Sequence, residues 1–149
     1  MCLSSIEHFQ KSFKEGYMVR RIFNFDGLLC IKSLYQGTGK NMPIRKWLDE
    51  IDFRKNSNTT KDLMINSIKG NPYRAGWHVF QNLEDAKAYR INQCIKAESR
   101  IFKVRCRNSF VRGIQSIRKK KTIHSAPVGV FKEVFLYKHP IKEEEIECV

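Results

Sequence analysis

From Ile101 to Arg107 the chain alternates without a break: Phe102, Val104 and Cys106 fall on one side, Lys103, Arg105 and Arg107 on the other. A period of two sends successive side chains to opposite faces of a strand. The segment therefore reads as a strand with one face in a core and a cationic face in water. As a helix it would scatter the same charges around its axis.

The segment lies inside a concentration of positive charge. Residues 87–121 hold twelve Lys or Arg against one acid, Glu98, a net +11 out of +13 for the whole chain. Charge confined to one stretch directs a field at a polyanion, whereas charge spread for solubility does not. Lys103, Arg105 and Arg107 would stand about 7 Å apart along one strand face, close to the spacing of successive phosphates on an extended single strand. Arg112 follows, and Arg118-Lys119-Lys120-Lys121 reads as a basic loop able to wrap a phosphate chain. These eight residues are the candidate nucleic-acid-binding set. The competing reading is a solvated sheet face and an exposed turn. Tyr73, Trp77 and Phe110 lie nearby as candidate base-stacking rings, although each also fits a core.

With 149 residues, of which 42% are hydrophobic, the chain can bury a single core. We expect one globular domain over residues 1–142 and an acidic tail over 143–149. Ser4-Ser5-Ile6-Glu7 has the form of a capping box, and Ile6, Phe9 and Phe13 follow at helical spacing, predicting a short opening helix. Tyr17 to Phe23 and Leu28 to Leu34 flank Asp26-Gly27, the pattern of a β-hairpin. Pro43 suits a helix start with Trp47, Leu48 and Ile51 on one face, and a further helix is expected from Thr60 to Lys69, before Gly70-Asn71-Pro72. Gly76 to Phe80 reads as extended. Asn82 is placed to cap a helix from Leu83 to about Ser99, and Val128 to Tyr137 reads as a last buried strand. This order predicts an α+β fold with a mixed or antiparallel sheet and three to four helices.

Several chemistries find no support in the spacing. The five cysteines, at 2, 30, 94, 106 and 148, form no Cys-x-x-Cys pair, and the four histidines are scattered, so neither a disulfide framework nor a metal site is expected. Gly37-Thr38-Gly39-Lys40 is too short for a phosphate loop, and Asn41 stands where that motif needs a hydroxyl. His78, between Trp77 and Val79, reads as a hydrogen-bonded strand residue. Cys2 would become N-terminal on loss of Met1, but no catalytic set can be assembled around it. No cofactor is expected, and the balance leans away from an enzyme. No apolar run approaches the roughly 18 residues of a membrane span, so a cytoplasmic protein without a membrane partner is expected.

Two resemblances add to this. Met1-Cys2-Leu3, Gly76-Trp77-His78-Val79-Phe80 and Glu84-Asp85-Ala86 resemble the signature of a loose family of small phage and bacterial proteins. That resemblance implies a phage or mobile-element setting, and hence a host cytoplasm. Gly76 to Phe80 followed by Ala86-Lys87-Ala88-Tyr89 is also similar to a strand and helix of ADP-ribosyltransferase-like folds. NAD chemistry would then fall to Arg20 or Arg21 with Glu133, but the Ser-Thr-Ser segment of that pattern is absent.

The expected function is accordingly an accessory protein that binds RNA or single-stranded nucleic acid. The first alternative is an anti-defence or host-takeover inhibitor that turns the same basic face on a host protein or ribonucleoprotein. The second is an NAD-binding enzyme.

Overall fold

Strand pairing organises this chain. The computed structural model describes residues 3–7, 12–25, 28–32, 43–53, 64–92, 99–137 and 140–141. Its elements are β1 (Ser5–Glu7), β2 (Glu15–Phe25), β3 (Leu28–Lys32), β4 (Trp47–Asp49), a 3-10 turn (Glu50–Phe53), β5 (Met64–Asn66), β6 (Pro72–Arg74), β7 (Trp77–Phe80), α1 (Leu83–Ile91), β8 (Ser99–Lys119) and β9 (Thr122–Leu136). Seven strands form one antiparallel sheet, while β5 and β6 pair separately. The expected α+β fold with three to four helices is thus corrected to a mostly β fold, with a single α-helix among the described residues.

Three segments expected to be helical are extended, for identifiable reasons. Ser4 does not cap a helix; its Oγ accepts the backbone N–H of Ser116 at 2.9 Å, and Ser5–Glu7 pairs with β8. In the segment after Pro43, Arg45 has φ 59°, a left-handed conformation that interrupts any helix there. Trp47–Asp49 then pairs with β9. Met64–Asn66 pairs with β6, and only the part of the expected 60–69 helix from residue 64 onward is described. In each case a neighbouring strand edge supplies backbone partners that short-range apolar spacing cannot foresee.

Other expectations hold. β2 and β3 form the antiparallel hairpin, with the Asp26-Gly27 turn itself outside the described residues. Helix α1 starts at Leu83 with Asn82 at its N-cap position, but the Asn82 side chain bonds Asp85 Oδ2 instead of a backbone N–H, and the helix ends at Ile91, short of Ser99, which begins β8. Gly37–Lys40, Cys2 and the acidic tail lie outside the described residues. No described helix is long and apolar enough to cross a membrane.

β2, β8, β9 and β7 pair in a closed circuit, completed by the Tyr17–Phe80 pairing of β2 with β7. Alternate residues of these strands enter two hydrophobic clusters. Met18, Val79, Phe102, Val104, Val134 and Leu136 form one, inside the circuit. Val19, Phe80, Ile101, Val128 and Val130 form the other, covered by Ala86, Ala88 and Tyr89 of α1. Closure needs Gly16: a Cβ there would lie 2.5 Å from Val79 Cγ1.

The β8–β9 register slips between Ser109 and Val111, and Asn108 has φ 57°. A bulge of this kind bends and twists a ribbon. The closed circuit spans it: β2 pairs with β8 over residues 99–105 on one side, and β7 pairs with β9 over residues 128–131 on the other. The ribbon then pairs with β1 at Arg112 to Ile114 and continues as an arm that turns at Lys120-Lys121.

Candidate nucleic-acid interface

The alternation of residues 101–107 survives intact. Phe102, Val104 and Cys106 are buried, at 1%, 0% and 4% exposure, while Lys103, Arg105 and Arg107 are exposed. Burial also pushes the Cys106 thiol up to about 12, with Glu15 adding to the shift.

Register places aromatic rings beside these cations. Arg105 pairs with Phe135 of β9, which pairs in turn with Trp47 of β4. The Trp47 and Phe135 rings lie 5.7 Å apart, and Phe135 and Tyr137 lie 6.0 Å apart edge to face. All three rings are partly exposed. The Arg107 guanidinium carbon is 3.8 Å from the Trp47 ring centre, that of Arg105 is 5.7 Å from it, and Lys103 Nζ is 5.7 Å from the Tyr137 ring. The result is a row of three rings interleaved with three cations on one patch of sheet, an arrangement suited to stacking bases while the cations hold phosphates.

Two carboxylates belong to the same patch. Glu133 accepts from Arg107 Nε at 2.9 Å, from Arg107 Nη2 and from Asn108 Nδ2 at 3.0 Å. Glu15 accepts the Tyr137 hydroxyl at 2.6 Å and lies 4.0 Å from Lys103 Nζ. The bond to Glu15 raises the Tyr137 pKa. The patch is therefore cationic but partly self-neutralised, with Arg105 its least encumbered charge.

The rest of the predicted set goes elsewhere. Arg112 donates to Gln81 Oε1 at 2.7 Å. Arg118 to Lys121 do not form a loop: Arg118 and Lys119 end β8, and Lys120-Lys121 is a tight turn. Lys119 Nζ meets the buried Asp85 carboxylate at 2.8 Å. Arg107 and Arg118 stand eleven positions apart on β8, roughly 35 Å of chain. The predicted residues thus form two patches, Lys103 to Arg107 and Arg118 to Lys121, with Arg112 apart from both, rather than one groove. Acids far in sequence from their partners, Glu15, Asp85 and Glu133, have also come to meet the basic tract.

Among the candidate stacking rings, Tyr73 and Trp77 are buried at 3% and 5% exposure, and Phe110 lies 4.0 Å beneath Arg74. The rings that do stand among the cations, Trp47, Phe135 and Tyr137, were missed. Phe135 and Tyr137 were legible, because they alternate with Val134 and Leu136 as the cations alternate with Val104 and Cys106. Trp47 was not, since only pairing across β4 and β9 brings it there.

The residues that the NAD-binding resemblance would bring together each serve another partner. The Arg20 guanidinium carbon lies 5.0 Å from the Trp77 ring centre, and Glu133 holds Arg107 and Asn108. His78 Nδ1 donates to the Gly76 carbonyl at 3.1 Å, and its Nε2 accepts from the Tyr73 hydroxyl at 3.0 Å. Tyr73 Oη in turn accepts the backbone N–H of Leu3 at 2.9 Å. Both imidazole nitrogens are spent on structure, and burial pushes the His78 pKa down to about 3.

No family model, no curated protein and no solved structure matches this chain.

Proposed function

We propose that the protein binds single-stranded nucleic acid, RNA or DNA, across the sheet patch formed by Lys103, Arg105, Arg107, Trp47, Phe135 and Tyr137. The observation that carries this reading is the interleaving of three rings with three cations across β4, β9 and β8. A strand face that met only solvent would have no need of partly exposed rings beside each charge, and a face built for a duplex backbone alone would have no use for stacking. Because base faces are generic, the site would show little sequence preference.

Fluorescence anisotropy with labelled single-stranded RNA, single-stranded DNA and duplex DNA across a salt series tests the proposal. With Arg107 held by Glu133, engagement of two phosphates gives a log-log salt slope of about −1.4 on single strands. Absence of binding to every probe at low salt would overturn it. An acidic protein surface is the competing occupant, and copurification with and without nuclease treatment separates the two.

A further inference from the structure

The tip of the β8–β9 arm combines features that the sheet patch does not use. Ile123 is 72% exposed and pairs across the ribbon with Arg118, which is also exposed. Lys120 and Lys121, both exposed, form the adjoining turn, and Lys120 is held at φ 56°. A single exposed isoleucine is ordinary on a protein surface. An isoleucine with one cation paired opposite it and two more in the adjoining turn, at the end of an anchored ribbon, is a different matter.

The anchoring is specific. Lys119 Nζ binds the buried Asp85 carboxylate, and Asn92 Nδ2 donates to the Arg118 carbonyl from the end of α1. Ile117, 4% exposed, and Ala126, fully buried, seal the ribbon face toward α1. The opposite face, with Ser116, Arg118, Ile123 and Ser125, is left to solvent. The arm thus presents its apolar residue with little ordering entropy left to lose.

We infer that this tip is a second nucleic-acid contact, directed at a duplex end, where Ile123 wedges against the terminal base pair while Arg118, Lys120 and Lys121 hold the flanking phosphates. Apolar side chains flanked by cations are what unstacking a base step requires: the side chain replaces lost stacking, and the charges hold both strands. Joined to the single-strand patch roughly 35 Å away along β8, the tip makes a junction between single and double strand the preferred substrate class. The junction preference rests on the proposed single-strand reading; the tip contact itself does not.

The test uses the full chain and three probes: a single strand, a blunt duplex, and a hairpin with a single-stranded overhang carrying 2-aminopurine at its terminal pair. Anisotropy should show the overhang hairpin bound more tightly than the single strand, with a rise in 2-aminopurine emission as the base unstacks. Ile123→Ser should remove roughly the tenfold that burial of one isoleucine supplies and abolish the emission change, with single-strand affinity unchanged. Because Ile123 is largely exposed, circular dichroism of the variant should match the parent. Equal binding of the hairpin by parent and Ile123→Ser, or no emission change with the parent, would overturn the inference and leave the sheet proposal standing. Duplex-end binding without single-strand binding would overturn the sheet proposal and keep the tip. In a parallel sedimentation assay with anionic phospholipid vesicles, binding by the parent chain that is lost in Ile123→Ser, with no duplex response, would overturn the tip contact in favour of a membrane surface.

Discussion

Arg107 lies 3.8 Å over the Trp47 ring while Glu133 grips the same guanidinium. The ring and the carboxylate hold the cation in one orientation, and the carboxylate also cancels its charge. Removing that charge without removing the ring should therefore release Arg107 for phosphate. Glu133→Gln is expected to raise single-strand affinity and to steepen the salt slope by about 0.7. A titration of the variant across the same salt series checks this; an unchanged slope counts against phosphate contact at Arg107.

Trp47 and Arg105 should fail differently. Trp47→Ala removes stacking, about 1–3 kcal/mol per base, and should weaken binding with little change in salt slope. Arg105→Ala removes a phosphate contact and should make the slope shallower by about 0.7. Two slopes measured side by side distinguish stacking from charge.

The Leu3–Tyr73–His78–Gly76 chain of hydrogen bonds sets an acid sensitivity. His78 is depressed from 6.5 in an unfolded chain to about 3 in the fold, so the unfolded state binds the proton first. Its contribution to stability is complete above about pH 6.5 and is lost progressively as pH falls toward 3. Carbon and nitrogen shifts of the His78 ring should remain those of the neutral Nδ1–H form down to pH 5. Tyr73→Phe, which leaves the buried Leu3 N–H without its acceptor, should cost about 1–3 kcal/mol in urea denaturation.

Cys106 should resist alkylation in the folded protein. Its thiol is raised to about 12, and its side chain belongs to the core cluster with Val104 and Val134, so little thiolate exists at pH 8. Mass spectrometry after iodoacetamide treatment, with and without denaturant, should find Cys106 modified only in the denatured sample.

Gly16→Ala tests closure of the β2–β8–β9–β7 circuit. The added methyl meets Val79 where β2 crosses β7, and overpacking at such a contact costs about 1–3 kcal/mol. The expected result is a lowered urea midpoint with an unchanged denaturant slope.

Period-two alternation was enough to locate the inward and outward faces of residues 101–107 and the hidden thiol of Cys106, and the run from Val128 to Tyr137 located the last strand, which begins at Thr122 and ends at Leu136. Side-chain direction in a strand is a local property, and no partner is needed to read it. Asp-Gly between two runs of strand formers, and Asn82 before Leu83, likewise marked the β2–β3 hairpin and the start of α1 from nearest neighbours alone. Tertiary structure decided the rest. Whether Ser5–Glu7, Trp47–Asp49 and Met64–Asn66 are helical or extended depends on which backbone edges lie beside them, and those edges belong to β8, β9 and β6. The same dependence hid Trp47 from the candidate site, brought Glu133 and Glu15 onto the basic face, and set Arg118 to Lys121 on an arm apart from Lys103 to Arg107. Charge in a sequence is summed along the chain, but a ligand meets charge as the strands arrange it in space.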